Sequence, residues 1–163
     1  MICSILASTS QGGIGNKGTL PWPKNSEDLH QFKKHTENQI VVMGRNTWDD
    51  PMMPNPLPDR VNFVVTNRKL NVIQARPIQG DICQEINAIK ERFPEKKVFV
   101  IGGKSIYEST QSIVERVYLT RIKGAWFSDT RIDLEQYLLD FRLYSVRPGH
   151  NCTYETWNRI SFN

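Results

Sequence analysis

The sequence predicts an α/β protein: a mostly parallel central sheet of about eight strands, an antiparallel C-terminal edge, and helices on both faces. Three observations carry that prediction. Several short β-branched runs are apolar at consecutive positions, the mark of strands buried on both faces, as in a parallel sheet. Helical patterns lie between them. Near the end, two strand-like segments flank Pro148-Gly149-His150-Asn151, turn chemistry that makes a hairpin. The chain has 163 residues and reads as one domain, 1–163, long enough to bury a real core.

Taken in order, residues 2–7 form a first strand that starts almost at the first residue. A short helix follows Pro23, capped by Asn25 or Ser26. Segments 39–43, 61–66, 72–75 and 98–101 are the β-branched runs. Helix 81–93 places Ile82, Ile86, Ile89 and Phe93 on one face, and Asp81 with Gln84 forms a capping box. Helix 104–112 follows a glycine pair, and 114–122, 143–147 and 153–160 are the last strands. Prolines exclude 51–58 from helix and central strand, leaving a stiff apolar surface loop.

Hydrophobic residues make up 39% and charged residues 23%, the balance of an ordered globular chain. The formal charge is +4, yet Lys and Arg are scattered without a run of five like charges. No nucleic-acid partner is expected, since an anionic small molecule accounts for the excess equally well. No apolar stretch approaches the roughly 20 residues of a membrane span, so no membrane partner is expected. Cys3, Cys83 and Cys152 are odd in number and far apart, and no leader-like segment precedes Cys3. Free thiols and a cytoplasmic location are the expectation. His30, His35 and His150 lack ligand spacing, so no metal is expected. Trp48 and Tyr118 read as core, Trp126 and Trp157 carry no functional signal, and Cys83 reads as structural.

Asp28 is the first candidate for chemistry. It falls in the first turn of the helix after Pro23, and at about 100° per residue it shares an arc with Leu29 and Phe32, the buried face. Glu27, Gln31 and Lys34 face elsewhere. A carboxylate against apolar walls keeps its proton longer and binds a ligand's donor group. The same position also suits a carboxylate that merely complements the helix dipole, and the segment alone leaves both readings open.

Two glycine-rich segments resemble nucleotide motifs and fail on context. Gly13-Ile14-Gly15-Asn16-Lys17-Gly18 has dinucleotide spacing, but Thr19-Leu20-Pro21-Trp22-Pro23 stands where the helix should begin. It reads as a mobile loop able to cover a ligand. Gly102-Gly103-Lys104-Ser105 ends like a P-loop, but Val98 replaces the required earlier glycine. The pair still joins a strand directly to a helix, where a ligand can press on bare backbone and meet free N–H groups. Gly44-Arg45-Asn46-Thr47 repeats the arrangement, and Thr66-Asn67-Arg68 follows a third strand. Together they offer hydroxyls, amides and two guanidinium groups at the strands' carboxyl ends, where open α/β sheets bind anionic ligands.

With these residues collected, the chain resembles dihydrofolate reductase over nearly its whole length. The matches keep the family's order: Ile14-Gly15, Leu20-Pro21-Trp22, Asp28 with Leu29 and Phe32-Lys33, Val42-Met43-Gly44-Arg45-Asn46-Thr47-Trp48, Leu57-Pro58-Asp59-Arg60, Ile101-Gly102-Gly103 with Tyr107, Tyr118-Leu119-Thr120, and Asp129-Thr130. The resemblance implies a dihydrofolate reductase-like fold with an adenosine-binding subdomain at roughly 39–103, and hydride transfer from NADPH to C6 of dihydrofolate with a proton added at N5. It implies that Asp28, supported by Thr120, anchors the pterin, and that a water admitted near Leu20 and Trp22 delivers the proton. Substrate would be held by Ile5, Ala7, Asp28, Leu29, Phe32, Lys33, Leu57, Ile101 and Thr120, with Arg60 pairing the glutamate carboxylate. The cofactor would meet Ala7, Ile14, Gly15, Gly44, Arg45, Asn46, Thr47, Thr66, Asn67, Arg68, Ile101, Gly102, Gly103, Lys104, Ser105, Ile106, Tyr107 and Thr130. Arg45, Thr66 and Arg68 would favour the extra phosphate of NADPH over NADH. A monomer and antifolates such as methotrexate or trimethoprim complete the implied picture.

Departures from the family pattern are local. Glu27 beside Asp28 is a rival acid, Asp59 precedes Arg60 where glycine is common, and the aromatic and proline usual after Asp129-Thr130 are missing. Pro51, Met52 and Met53 are open as substrate contacts. Two other readings compete: a related pyrimidine reductase of riboflavin synthesis, opposed by the Trp22, Asp28 and Arg60 set, and a non-catalytic structural or RNA-binding protein, opposed by Asp28, Thr120 and both glycine turns.

Overall fold

The computed structural model describes residues 1–161. Its sheet is built around β1 (Ile2–Thr9), flanked by β6 (Val98–Val100) and β7 (Arg116–Ile122), both parallel to it. Beyond β6 lie β3 (Ile40–Gly44), β4 (Val61–Val65) and β5 (Ala75–Ile78), also parallel. Beyond β7 come β10 (Cys152–Arg159) and β9 (Phe141–Gly149), paired antiparallel. The eight-stranded order is β5-β4-β3-β6-β1-β7-β10-β9. The predicted class, strand number and antiparallel edge are all present.

Every residue of β3 and β6 is buried, which explains why these strands read as unbroken apolar runs. Alternate residues then serve opposite faces. Ile2, Leu6, Val42 and Val100 pack with Ile86 and Ile89 of α3 (Ile82–Arg92) and Ile106 of α4 (Lys104–Thr110). Cys3, Val41, Met43 and Phe99 pack with Phe32 of α1 (Ser26–Thr36) and Trp48 of α2 (Arg45–Trp48). Helices therefore cover both faces. Asp81 caps α3 by accepting from the Gln84 N–H at 3.0 Å.

Three local expectations are corrected. The strand expected at 72–75 begins only at Ala75, and Ile73 is 94% exposed in a turn. The sheet edge explains the shift: Pro77 is tolerated there because an edge strand need not donate on both sides. Leu29 is 43% exposed, since its face of α1 borders an open cleft instead of the core. The segment expected as a mobile glycine loop contains β2 (Gly13–Gly15), paired antiparallel with β8 (Thr130–Arg131). Gly13 is required because a Cβ there would collide with Ser128 Oγ. At the hairpin, Gly149 pairs with Cys152, and Asn151 takes the positive φ of 54° that closes a two-residue turn.

Candidate active site

All five strands β1, β3, β4, β6 and β7 run in one direction, so the segments that follow them gather at one edge of the sheet. The acid is delivered there by α1. Asn25 is the cap: it accepts from the Asp28 N–H at 3.1 Å, and its own amide donates to the His150 carbonyl at 2.9 Å. The hairpin thus fixes the start of the helix. Glu27, exposed on the far side, accepts from the His150 N–H and the Tyr154 hydroxyl, each at 2.7 Å. Those donors hold its carboxyl below the usual range. The rival acid is committed to the hairpin.

Asp28 points into the cleft, where the Thr120 hydroxyl donates to its Oδ1 at 2.7 Å. Burial pushes the Asp28 carboxyl above the ordinary carboxylate range, the Thr120 hydrogen bond pulls it back, and the Glu27 charge adds a further upward push. Thr120 stands beside Ala7 in the β1–β7 register. Trp22 is buried against Ala7, Ile122, Cys152 and Tyr154, while Leu20 is 44% exposed at the mouth. The dipole explanation of Asp28 does not call for the hydroxyl partner 92 residues away that holds its carboxyl at the cleft.

Ile5, Ala7, Leu29, Phe32, Lys33, Leu57 and Ile101 all line this cleft. Leu57 is held by Asn62 of β4, whose buried amide accepts from its N–H and donates to its carbonyl, both at 3.0 Å. The Arg60 guanidinium is fixed by Nε donating to the Pro58 carbonyl at 2.8 Å and Nη1 donating to Thr36 Oγ1 at 3.1 Å. Among the described residues it has no carboxylate partner, so its remaining donors are available to a ligand.

Across the cleft, the two glycine turns lock together through the Gly44 N–H donating to the Gly102 carbonyl at 2.8 Å. Gly102 has φ +118°, and the Tyr107 hydroxyl donates to the Ile5 carbonyl at 2.8 Å, fixing α4 onto β1. Neither α2 nor α4 has a side-chain cap, so their first N–H groups remain for a ligand, and a Cβ at Gly103 would meet nothing nearer than Thr47 Oγ1 at 3.9 Å. This donor-rich, side-chain-free edge fits a phosphorylated dinucleotide. Ile14, Gly15, Asn46, Lys104, Ser105, Ile106 and Thr130 also line the cleft. Thr66, Asn67 and Arg68 do not line it; Thr66 reaches it through Arg45, and Arg68 through Asp49.

The glycine segment is tied down by Asp129, which accepts from the Lys17 N–H at 2.8 Å while its own N–H donates to the Gly15 carbonyl at 3.0 Å. The missing aromatic and proline after Thr130 therefore leave this pairing intact. One cleft residue, Tyr118, reads from the sequence only as core. Tyr118 is half-buried in the cleft wall, against His35 with ring centroids 4.2 Å apart and the rings tilted by 35°, and is not simply core. Pro51, Met52 and Met53 all border the cleft. The cysteines supply no nucleophile there: burial pushes Cys3 up to about 11 and raises Cys152 as well.

The cleft measures about 2080 Å³, well beyond the roughly 300–1,000 Å³ of a single-ligand site. A carboxylate with its hydroxyl partner on one wall and a phosphate-ready edge on the other define an α/β enzyme that holds a nucleotide cofactor against a second small molecule. Comparison with known proteins agrees. The family model for dihydrofolate reductase matches residues 1–159. A type 8 dihydrofolate reductase of Escherichia coli is 30% identical over 161 residues, covering 96% of this chain and 94% of the relative. The dihydrofolate reductase of Sus scrofa is 31% identical, covering 83% and 82%. A solved dihydrofolate reductase from Enterococcus faecalis, complexed with NADP(H) and RAB-propyl, superposes with a TM-score of 0.84 at 28% identity, covering 99% of this chain and 97% of the other. The chain belongs to the dihydrofolate reductase family. It is an NADPH-dependent oxidoreductase that reduces dihydrofolate.

Proposed function

We propose that the reduction of 7,8-dihydrofolate to 5,6,7,8-tetrahydrofolate is organised in this chain by Asp28. The observation that carries this reading is the Asp28–Thr120 hydrogen bond at 2.7 Å, in the one wall of the cleft that faces the glycine turns. With Oδ1 engaged by Thr120, Oδ2 remains to accept a second donor, such as a ring N–H or amino group of the pterin. The apolar faces of Ile5, Ala7, Leu29, Phe32 and Leu57 exclude water around that ring, and Arg60 takes the glutamate carboxylate as a two-pronged donor. Gly44, Arg45, Asn46, Thr47, Gly102, Gly103, Lys104, Ser105 and Thr130 would hold NADPH, which supplies the hydride when bound.

Asp28 promotes protonation at N5 without touching it: a carboxyl kept protonated longer by burial loses its influence as pH rises, so the rate falls toward alkaline pH. Leu20, exposed at the mouth, and Trp22 flank the route by which a water reaches the ring. We place residues 39–103 as the adenosine-binding unit and take the protein to act as a monomer in the cytoplasm, a compartment that suits three unpaired cysteines. Antifolates compete for the Asp28 end of the cleft. The test is the absorbance of NADPH with purified protein. It falls only when dihydrofolate is present and stops falling when methotrexate is added; constant absorbance with folded protein refutes the reading.

A further inference from the structure

One carboxylate stands where a phosphate would arrive. Asp49 directly follows α2, four residues beyond Arg45, and Arg45 Nε donates to its Oδ1 and Oδ2 at 3.3 and 3.2 Å. Arg68 approaches from the segment after β4, with Nη2 3.5 Å from the same Oδ2. Thr66 ties the group together, its hydroxyl accepting from Arg45 Nη1 at 3.4 Å and from the Arg68 N–H at 3.0 Å. Two guanidinium groups and a hydroxyl converging on one point make a phosphomonoester subsite, and two such cations left alone would repel each other. In this chain the Asp49 carboxylate satisfies both. Its own side chain is 46% exposed, so nothing buries it in place.

We propose that Asp49 is a specificity-determining residue that competes with the cofactor's ribose phosphate for Arg45 and Arg68, and so holds the preference for NADPH over NADH below what those cations would otherwise give. This rests on reading Arg45, Thr66 and Arg68 as the phosphate subsite. A ribose phosphate carries a charge of about −1.5 to −2 at neutral pH, so a neighbouring carboxylate repels it. The carboxylate also occupies the Nε edge of the Arg45 fork, the edge a bidentate phosphate contact uses. NADH carries no phosphate at this point and does not feel the competition.

The test titrates the full chain with NADPH and with NADH, in low and high salt, following quenching of tryptophan fluorescence. Asp49→Asn keeps the shape and removes the charge. It is expected to lower the Kd for NADPH about two- to fivefold, the scale of removing one close repulsive charge at an exposed site. The Kd for NADH is expected to stay in place, and NADPH binding to become more salt-sensitive. An adenosine 2′-phosphate probe should tighten in parallel, while adenosine does not. The proposal is overturned if NADPH binding is unchanged or weaker in Asp49→Asn, or if NADH tightens equally. Arg45→Ala separates the two levels of inference. If it abolishes the NADPH preference while Asp49→Asn does nothing, the subsite stands and the competition fails. If Arg45→Ala leaves the preference untouched, the subsite reading falls and the proposal with it.

Discussion

Replacing Thr120 by valine removes one hydroxyl while keeping the shape of the side chain, and its effect follows from a single bond. That hydroxyl donates to Asp28 Oδ1 at 2.7 Å from a residue only 8% exposed. Such charge-assisted bonds are worth about 1.5–3 kcal/mol to the ionised form. At about 1.4 kcal/mol per pKa unit this corresponds to roughly one to two units, and the open side of the cleft places the expectation at about one. The sign is definite, because Thr120 lowers the Asp28 pKa against the upward push of burial. Without the hydroxyl the carboxyl holds its proton to higher pH. In Thr120→Val the alkaline fall in the rate of NADPH oxidation with dihydrofolate moves up by about one pH unit. The assay is the pH profile of turnover, wild type against variant. An unmoved midpoint, or one displaced downward, refutes the coupling of Thr120 to Asp28.

Other outcomes follow from the same geometry. Asp28→Asn cannot titrate, so turnover should fall by at least about 100-fold and lose its dependence on this group. The same variant should melt at a higher temperature than wild type near neutral pH, because a carboxyl with a raised folded-state pKa costs stability once ionised; a lower melting temperature contradicts that. Arg60→Ala should weaken folate binding by about 1.5–3 kcal/mol and leave NADPH in place, and equal loss of both ligands, measured by titration, would remove Arg60 from the substrate side. The Glu27 carboxyl is held down by hairpin donors, so its contribution is present above the ordinary carboxylate range and is lost as pH falls through its lowered pKa. The protection factor of the His150 amide, corrected for the intrinsic slowing of exchange in acid, should therefore drop as pH falls in wild type and be low already at neutral pH in Glu27→Ala.

Much of this was legible in the chain because each signal was local. The buried parallel strands announce themselves by unbroken β-branched runs, Asp81 and Asn25 by capping chemistry, and the two glycine turns by where they interrupt strand and helix. Asp28 was legible as a misplaced acid, but its partner Thr120 came only through the family resemblance, since no periodicity links positions 92 apart. What stayed hidden is tertiary in origin. The commitment of Glu27 to His150 and Tyr154, the grip of Asn62 on Leu57 and the position of Asp49 between two arginines all depend on how distant segments meet. Leu29 misled because an apolar residue on a cleft wall and one in a core look alike until the space beside them is known.

The hairpin's hold on the start of α1 has a bearing on how the protein is made. Asn25 and Glu27 are secured by His150 and Tyr154, 123 to 127 residues further along the chain. β10 also closes on β7, the strand that carries Thr120. A nascent chain can assemble β1, β3 and β6 before β9 and β10 have been added, yet the start of α1, which carries its acid, lacks these partners until the hairpin arrives. Competence thereby waits for the hairpin.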